Sequence, residues 1–172
     1  MLGFEFQGDF QNTKKVMFDG ETTSFIVHKF MAFTSDRKRA SIIVEFPDGT
    51  IKHFIKGADS IILGRLYTEG TQFTDINTQY IDKFSSIGLR CLLYGVKTYS
   101  KSKFEEIQGK FYEAEGSDNR EEAISKVEDE VERDFYLMGC TAVEDKLQDG
   151  VPECIADFLK AEIKVWMLTG DK

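Results

Sequence analysis

Apolar residues recur along this chain in two periods, and the change from one to the other divides it. Between Ser24 and Phe33 the residues Phe25, Val27, Phe30, Met31 and Phe33 predict an extended segment. A polar bend, TSDRKR, follows. The runs SIIVEF (Ser41 to Phe46) and TIKHFIK (Thr50 to Lys56) flank Pro47-Asp48-Gly49. Two short β-rich runs around Pro-Asp-Gly predict a hairpin, because proline presets one turn angle and glycine accepts positive φ. Beyond Lys56, GADSIILGRL predicts a short helix opening near Asp59. From Thr74 to Ile87 the residues Ile76, Tyr80, Phe84 and Ile87 recur at helical spacing. Thr74 or Asp75 suits the start and Gly88 the left-handed position past the end. Leu89 to Tyr99 (LRCLLYGVKTY) is largely apolar and predicts an inner strand.

Residues Lys101 to Arg133 predict helices interrupted near Gly116-Ser117-Asp118, with Ile124, Val127, Val131 and Phe135 as a stripe. Glu122–Lys126 and Asp129–Arg133 are favourable i,i+4 pairs. This acidic stretch reads as a solvated helix face, with a docking surface as the alternative. Tyr136 to Val143 predicts a strand. A helix follows, with Pro152 in its first turn and Val151, Ile155, Phe158 and Leu159 inward. Ile163 to Leu168 predicts another strand, so the tail has the strand–helix–strand pattern of a parallel α/β unit. We place a boundary near residue 136. The chain stops at Lys172, where such a unit normally enters its next helix, so we expect a piece of a longer protein.

Composition narrows the function. The chain has 172 residues, 22 basic and 30 acidic, and a net charge of −8. A sequence-independent nucleic-acid binder needs a basic surface, so that class is excluded, although a local basic patch can still hold an anion. The 41% hydrophobic content supports a packed core. No apolar run approaches bilayer-crossing length. MLGFEFQGDF shows neither a charged leader nor a signal-type apolar core. Three cysteines without a CxxC read as free thiols in a reducing compartment, with Cys91 and Cys140 in core runs.

Candidate chemistry is sparse. His28 and His53 lie far apart without cysteine neighbours, which favours structural roles over a zinc site. Thr169-Gly170-Asp171 follows an apolar strand, where α/β folds bind ligands. Threonine can hold a phosphoryl oxygen there, and glycine lets the backbone approach it. An ordinary turn is the plainer alternative. Lys56 precedes Gly57, so a cation and a close-approach glycine adjoin, or else Lys56 is a surface lysine before a helix cap. Phe33 can stack on a purine at the sheet's mouth or serve as one more core phenylalanine. Arg90 can fork onto phosphate or pair with a carboxylate. Arg37-Lys38-Arg39 can bind phosphate, or keep a strand edge soluble.

Five strings occur in one order: FTSDRKRASIIV, KGADSIILGRL, SIGLRCLLYGV, GCTAVEDKLQDGVPE and IKVWMLTGDK. Together they resemble the cytoplasmic nucleotide-binding region of P-type ATPases, and of the type IV phospholipid-translocating class in particular. The resemblance runs from about Gly3 to Lys172. It implies an α+β fold over residues 1–135, an antiparallel sheet flanked by helices (the N domain). Over 136–172 it implies the incomplete start of a haloacid-dehalogenase-like phosphorylation (P) domain.

By the same resemblance Phe33 stacks on adenine with Ser35 close by, Lys56 lines the nucleotide pocket, and Arg90 reaches the phosphates. Thr169, Gly170 and Asp171 belong to the phosphoryl-transfer site. ATP is the implied substrate, and Mg2+ is held mostly by residues outside this chain. The implied partners are the actuator, phosphorylation and transmembrane domains of the parent, an accessory beta subunit, and a phospholipid handled elsewhere in the parent. The implied location is a cytoplasmic domain of an integral membrane protein. Ala40 departs from the usual methionine of the RKRMS string, and Phe54-Ile55 stands where an aromatic and a cysteine are common. The DKTGT, PDE and GDGxND strings are absent, so we expect nucleotide binding without aspartyl-phosphate formation. The alternatives are an N domain of a cation pump, a non-catalytic interaction module, or a stand-alone dehalogenase-like phosphatase. The last needs a DxD-like aspartate at a strand end, and none precedes Thr169.

Overall fold

The structure is a computed structural model describing residues 3–67, 72–144 and 148–168, with backbone alone for 72–77. Seven strands form one sheet in chain order: β1 (Phe4–Phe10), β2 (Thr13–Phe18), β3 (Glu21–Met31), β4 (Arg39–Glu45), β5 (Ile51–Ala58), β6 (Arg90–Tyr99) and β7 (Tyr136–Val143). Every neighbouring pair is antiparallel. The helices are α1 (Asp59–Ile62), which runs into a 3-10 turn at Leu63–Arg65, α2 (Gln72–Ser86), α3 (Lys101–Glu115), α4 (Arg120–Val131) and α5 (Val151–Lys160).

The expected hairpin forms around Pro47-Asp48-Gly49. Gly49 has φ 78°, and Asp48 Oδ1 accepts the Thr50 amide at 2.8 Å. Alternation then sorts the central strands into two faces. Met31, Ile43, Ile51 and Val131 pack with Phe104, Ile107 and Phe111 of α3. Ile55, Cys91 and Leu93 pack with Ile62 of α1, Ile81 of α2 and Phe135. Both cores lie on one face of the sheet, because consecutive strand side chains point to opposite sides. The other face carries exposed Phe30, Lys56 and Arg90. Residues 101–133 form two helices broken at Gly116, as expected, and both i,i+4 pairs form, Lys126–Glu122 at 2.6 Å and Arg133–Asp129 at 2.8 Å.

Several expectations change. β1 and β2 were not anticipated from the sequence. Their visible signals are the Phe4, Phe6 alternation and the Asp19-Gly20 turn, with φ of 51° and 81°, which suits the tight hairpin joining β2 and β3. On α2, Ile81 is buried at 3% and Phe84 packs beside it as expected, while Tyr80 and, just past the helix, Ile87 are 52% and 67% exposed, so the inward stripe is rotated from the one expected. Ile76 lies among the side chains outside the description. Phe135 is fully buried but lies beyond α4. Its amide bonds to Arg65 O at 3.1 Å, and its ring region packs over Gly95.

The tail differs most. β7 pairs antiparallel with β6, so it completes this sheet instead of opening a parallel unit. Residues 163–168 form no strand, because a strand needs a pairing neighbour and none is present among the described residues. No residue of α5 is buried, and Ile155, Phe158 and Leu159, expected inward, are 40%, 43% and 62% exposed. Among the described residues of the tail no parallel layer is seen. No helix among the described residues is long and apolar enough to cross a membrane.

Gly57 has a specific steric role. A Cβ there would lie 2.6 Å from Lys38 O and 2.8 Å from Arg39 Cβ. The same carbonyl accepts the Ala58 amide at 3.1 Å, so it cannot retreat without losing that bond. The glycine therefore serves close approach of the β3–β4 turn on the covered face, and not approach of a ligand, which was one of the two readings of Lys56-Gly57. Gly57→Ala should destabilise the fold by about 1–3 kcal/mol through overpacking. An unchanged urea midpoint would show that the turn yields freely.

Candidate functional site

Five chain segments meet at one end of the sheet. β3 ends there at Met31, β4 begins at Arg39, β5 ends at Ala58, β6 begins at Arg90 and β7 ends at Val143. The antiparallel register explains this: Arg39 faces Gly57, Ala58 faces Leu92 and Arg90 faces Val143. The segment joining β3 to β4 crosses this end and carries Phe33 and Ser35.

Phe33 is 61% exposed, which removes the core-phenylalanine alternative. Ser35 is exposed in the turn beside it. Lys56 is opposite Tyr94 across β5 and β6, and Arg90 lies four residues from Tyr94 on the same strand. Lys56 and Arg90 therefore project from the same open face, their Cα atoms about 14 Å apart from strand geometry. Among the described residues Lys56 has no ion-pair partner. Thr169, Gly170 and Asp171 lie outside the described residues.

Two other cations are committed elsewhere, which corrects the phosphate reading of Arg37-Lys38-Arg39. Arg39 Nε donates to Glu132 Oε2 at 2.6 Å, and Arg39 Nη2 pairs with Asp129 Oδ1 at 3.1 Å. Arg37 Nη2 donates to Glu132 Oε1 at 2.5 Å, and Ser41 Oγ donates to the same oxygen at 2.6 Å. Arg65 adds Nη2 to Asp129 Oδ1 at 2.5 Å and Nη1 to Glu132 O at 3.0 Å. Glu132 is wholly buried. Hydrogen bonds from Arg65 and Arg133 hold the Asp129 carboxyl down at about 2, so Asp129 stays charged in mild acid. The strand phase contained a clue: Arg39 is inward with Ser41 and Ile43, an unusual place for arginine.

The histidines are structural. His28 Nε2 lies 2.8 Å from Glu45 Oε2, and its ring packs on Phe104. His53 is fully buried, with Nδ1 2.8 Å from Tyr99 Oη and Nε2 without a partner. Burial first, and then the Lys97 cation, push His53 down to about 3. Burial likewise lowers Lys97 to about 8, and its ammonium donates to Val131 O and Arg133 O at 2.5 Å each. That places a cation at the carboxyl end of α4, where the helix dipole favours it. The three cysteines are free thiols, as expected, and Cys91 is buried. Among the described residues no group of three or more His, Cys, Asp or Glu is placed to hold a metal.

These features define an α+β domain that covers one sheet face with helices and leaves the other open, with an aromatic ring and two cations toward one end. The family described as P-type ATPase, cytoplasmic domain N matches residues 11–150. The chain belongs to that family. Over 99% of its length it is 46% identical to phospholipid-transporting ATPase IC of Mus musculus. It is 40% identical to phospholipid-transporting ATPase DRS2 of Saccharomyces cerevisiae and 38% identical to phospholipid-transporting ATPase 10 of Arabidopsis thaliana, again over 99% of the chain. The chain spans 14%, 13% and 15% of those proteins respectively.

Proposed function

We propose that this chain is the ATP-binding part of a phospholipid-translocating P-type ATPase, and that it presents ATP to a catalytic aspartate outside the chain. The observation that carries this reading is the placement of Phe33, Lys56 and Arg90 at one sheet end in a chain 46% identical to a phospholipid-transporting ATPase. In this reading the Phe33 ring stacks on adenine with Ser35 beside it. Lys56 and Arg90 supply positive charge toward the phosphates against a chain of net charge −8. Thr169, Gly170 and Asp171 meet the phosphoryl end after the domains close.

Phosphoryl transfer depends on positioning and charge stabilisation, so a domain that delivers the nucleotide needs no nucleophile of its own. Mg2+ enters with ATP and is held mainly by groups outside this chain. Residues 1–135 act as the nucleotide-binding unit and 136–172 lead into the phosphorylation domain. In this reading β7, which pairs with β6 in the sheet, is the segment through which the chain passes to the second domain. The parent is an integral membrane protein with this part on the cytoplasmic side. Its partners are its own actuator, phosphorylation and transmembrane domains, with an accessory beta subunit, and the lipid is handled elsewhere in the parent.

Titration of ATP, ADP and GTP against the chain and three variants tests this. Phe33→Ala should weaken ATP and ADP alike, by roughly tenfold to a hundredfold, the usual worth of one base–aromatic stack. Lys56→Ala and Arg90→Ala should weaken ATP more than ADP. Equal affinities across wild type and all three variants would remove the site. Absence of any ATP-dependent rise in melting temperature would favour an interaction module.

A further inference from the structure

On one side of Phe33 the chain is held by a guanidinium. Arg37 Nη1 donates to the carbonyl of Ala32, the residue just before Phe33, at 2.8 Å. Its Nη2 donates to Glu132 Oε1 at 2.5 Å. On the other side of Phe33, Thr34 is held twice. Its Oγ1 accepts the Arg37 amide at 3.2 Å, and its carbonyl accepts the Lys38 amide at 2.8 Å. Phe33 is thus bracketed by backbone contacts that all run through residues 37 and 38.

The ring itself is exposed and has little packing of its own to fix its direction. The anchor beneath it is firm by contrast. The Arg37 side chain is 16% exposed and that of Glu132 is 0% exposed. Arg39 and Ser41 share the same carboxylate, so Glu132 cannot shift without breaking bonds to β4. A guanidinium offers its donors in a rigid fork, which lets one side chain serve the Ala32 carbonyl and Glu132 together. An ammonium has no such fork.

We propose that Arg37, anchored on Glu132, is a positioning residue that holds the Phe33 turn in the shape that receives the base. This rests on the nucleotide reading of Phe33. Arg37 acts through the backbone and not as a phosphate contact in this proposal: Nη1 is bonded to Ala32 O and faces Glu128, and Nη2 is bonded to Glu132. Its effect is preorganisation, which raises affinity by removing an ordering cost from binding.

A double-mutant cycle with two ligands tests this. Affinities for ATP and for adenosine are measured on the chain, Phe33→Ala, Arg37→Ala, and the double variant. Arg37→Ala should weaken both ligands by the same factor, roughly threefold to tenfold. It should add no loss on the Phe33→Ala background, because the ring it positions is gone. Arg37→Lys, which keeps a charge beside Glu132 without the fork, should reproduce the loss and carries the cycle if Arg37→Ala does not fold. A loss confined to ATP would make Arg37 a phosphate contact and overturn the proposal. So would full affinity in either folded variant, or losses that multiply independently. Unchanged binding in Phe33→Ala would bring down the nucleotide reading and this inference with it. A loss at Phe33 with none at Arg37 overturns the positioning role alone.

Discussion

Glu132→Ala is expected to cost the fold about 3–5 kcal/mol, the usual penalty for removing one partner of a buried ion pair. The carboxylate is wholly buried and accepts from Arg37, Arg39 and Ser41 at 2.5, 2.6 and 2.6 Å. Without it, two guanidiniums with 16% and 7% exposed side chains keep only Glu128 and Asp129 as counter-charges. The magnitude reflects the charge left behind, not a large net worth of the intact pair. A typical domain has 5–15 kcal/mol in all, so the urea midpoint should fall steeply. Glu122→Ala, which breaks only a solvent-exposed pair with Lys126, should leave that midpoint unmoved. A change under about 1 kcal/mol for Glu132→Ala would mean that water reaches the cluster and solvates the arginines.

Stability should also fall as pH drops from 6.5 toward 3, because His53 stays neutral in the fold. His53 Nδ1 lies 2.8 Å from Tyr99 Oη, and Nε2 is buried without a partner. A proton on Nε2 would bury an unpartnered cation near Lys97 and against Phe135. The unfolded chain takes that proton near pH 6.5 and the folded chain only near 3. Between those values the unfolded state binds more protons, so stability rises with pH and is lost on acidification. The loss is about 1.4 kcal/mol per pH unit, hence about 2 kcal/mol between pH 6.5 and 5. Denaturant melts of wild type and His53→Leu at pH 7.5 and 5 isolate this contribution. The stability difference between the two proteins should shift by about 2 kcal/mol in favour of the variant at pH 5. Parallel pH profiles would show that His53 charges freely in the folded state.

Legibility followed the range of each interaction. The β4–β5 hairpin was readable because Pro-Asp-Gly and two flanking runs determine it within about a dozen residues. The break at Gly116 and the exposed i,i+4 pairs were equally local. The turn of α2 was not, since Ile81 and Tyr80 are adjacent and only the neighbouring sheet decides which one points inward. The steric role of Gly57 was not readable, because its close neighbour, Lys38 O, approaches through the β4–β5 register. The Arg37–Lys38–Arg39 run was misread for the same reason: its carboxylates arrive from a helix more than ninety positions away.

Local patterning by itself determined the central strands and the paired helices, because period and turn chemistry act between near neighbours. Tertiary structure alone decided that β7 closes the sheet antiparallel and that the apolar side of α5 has no cover among the described residues. It also decided that Arg37 and Arg39 are spent on Glu132. Burial and charge pairing depend on what arrives from elsewhere in the chain, and no local pattern encodes that.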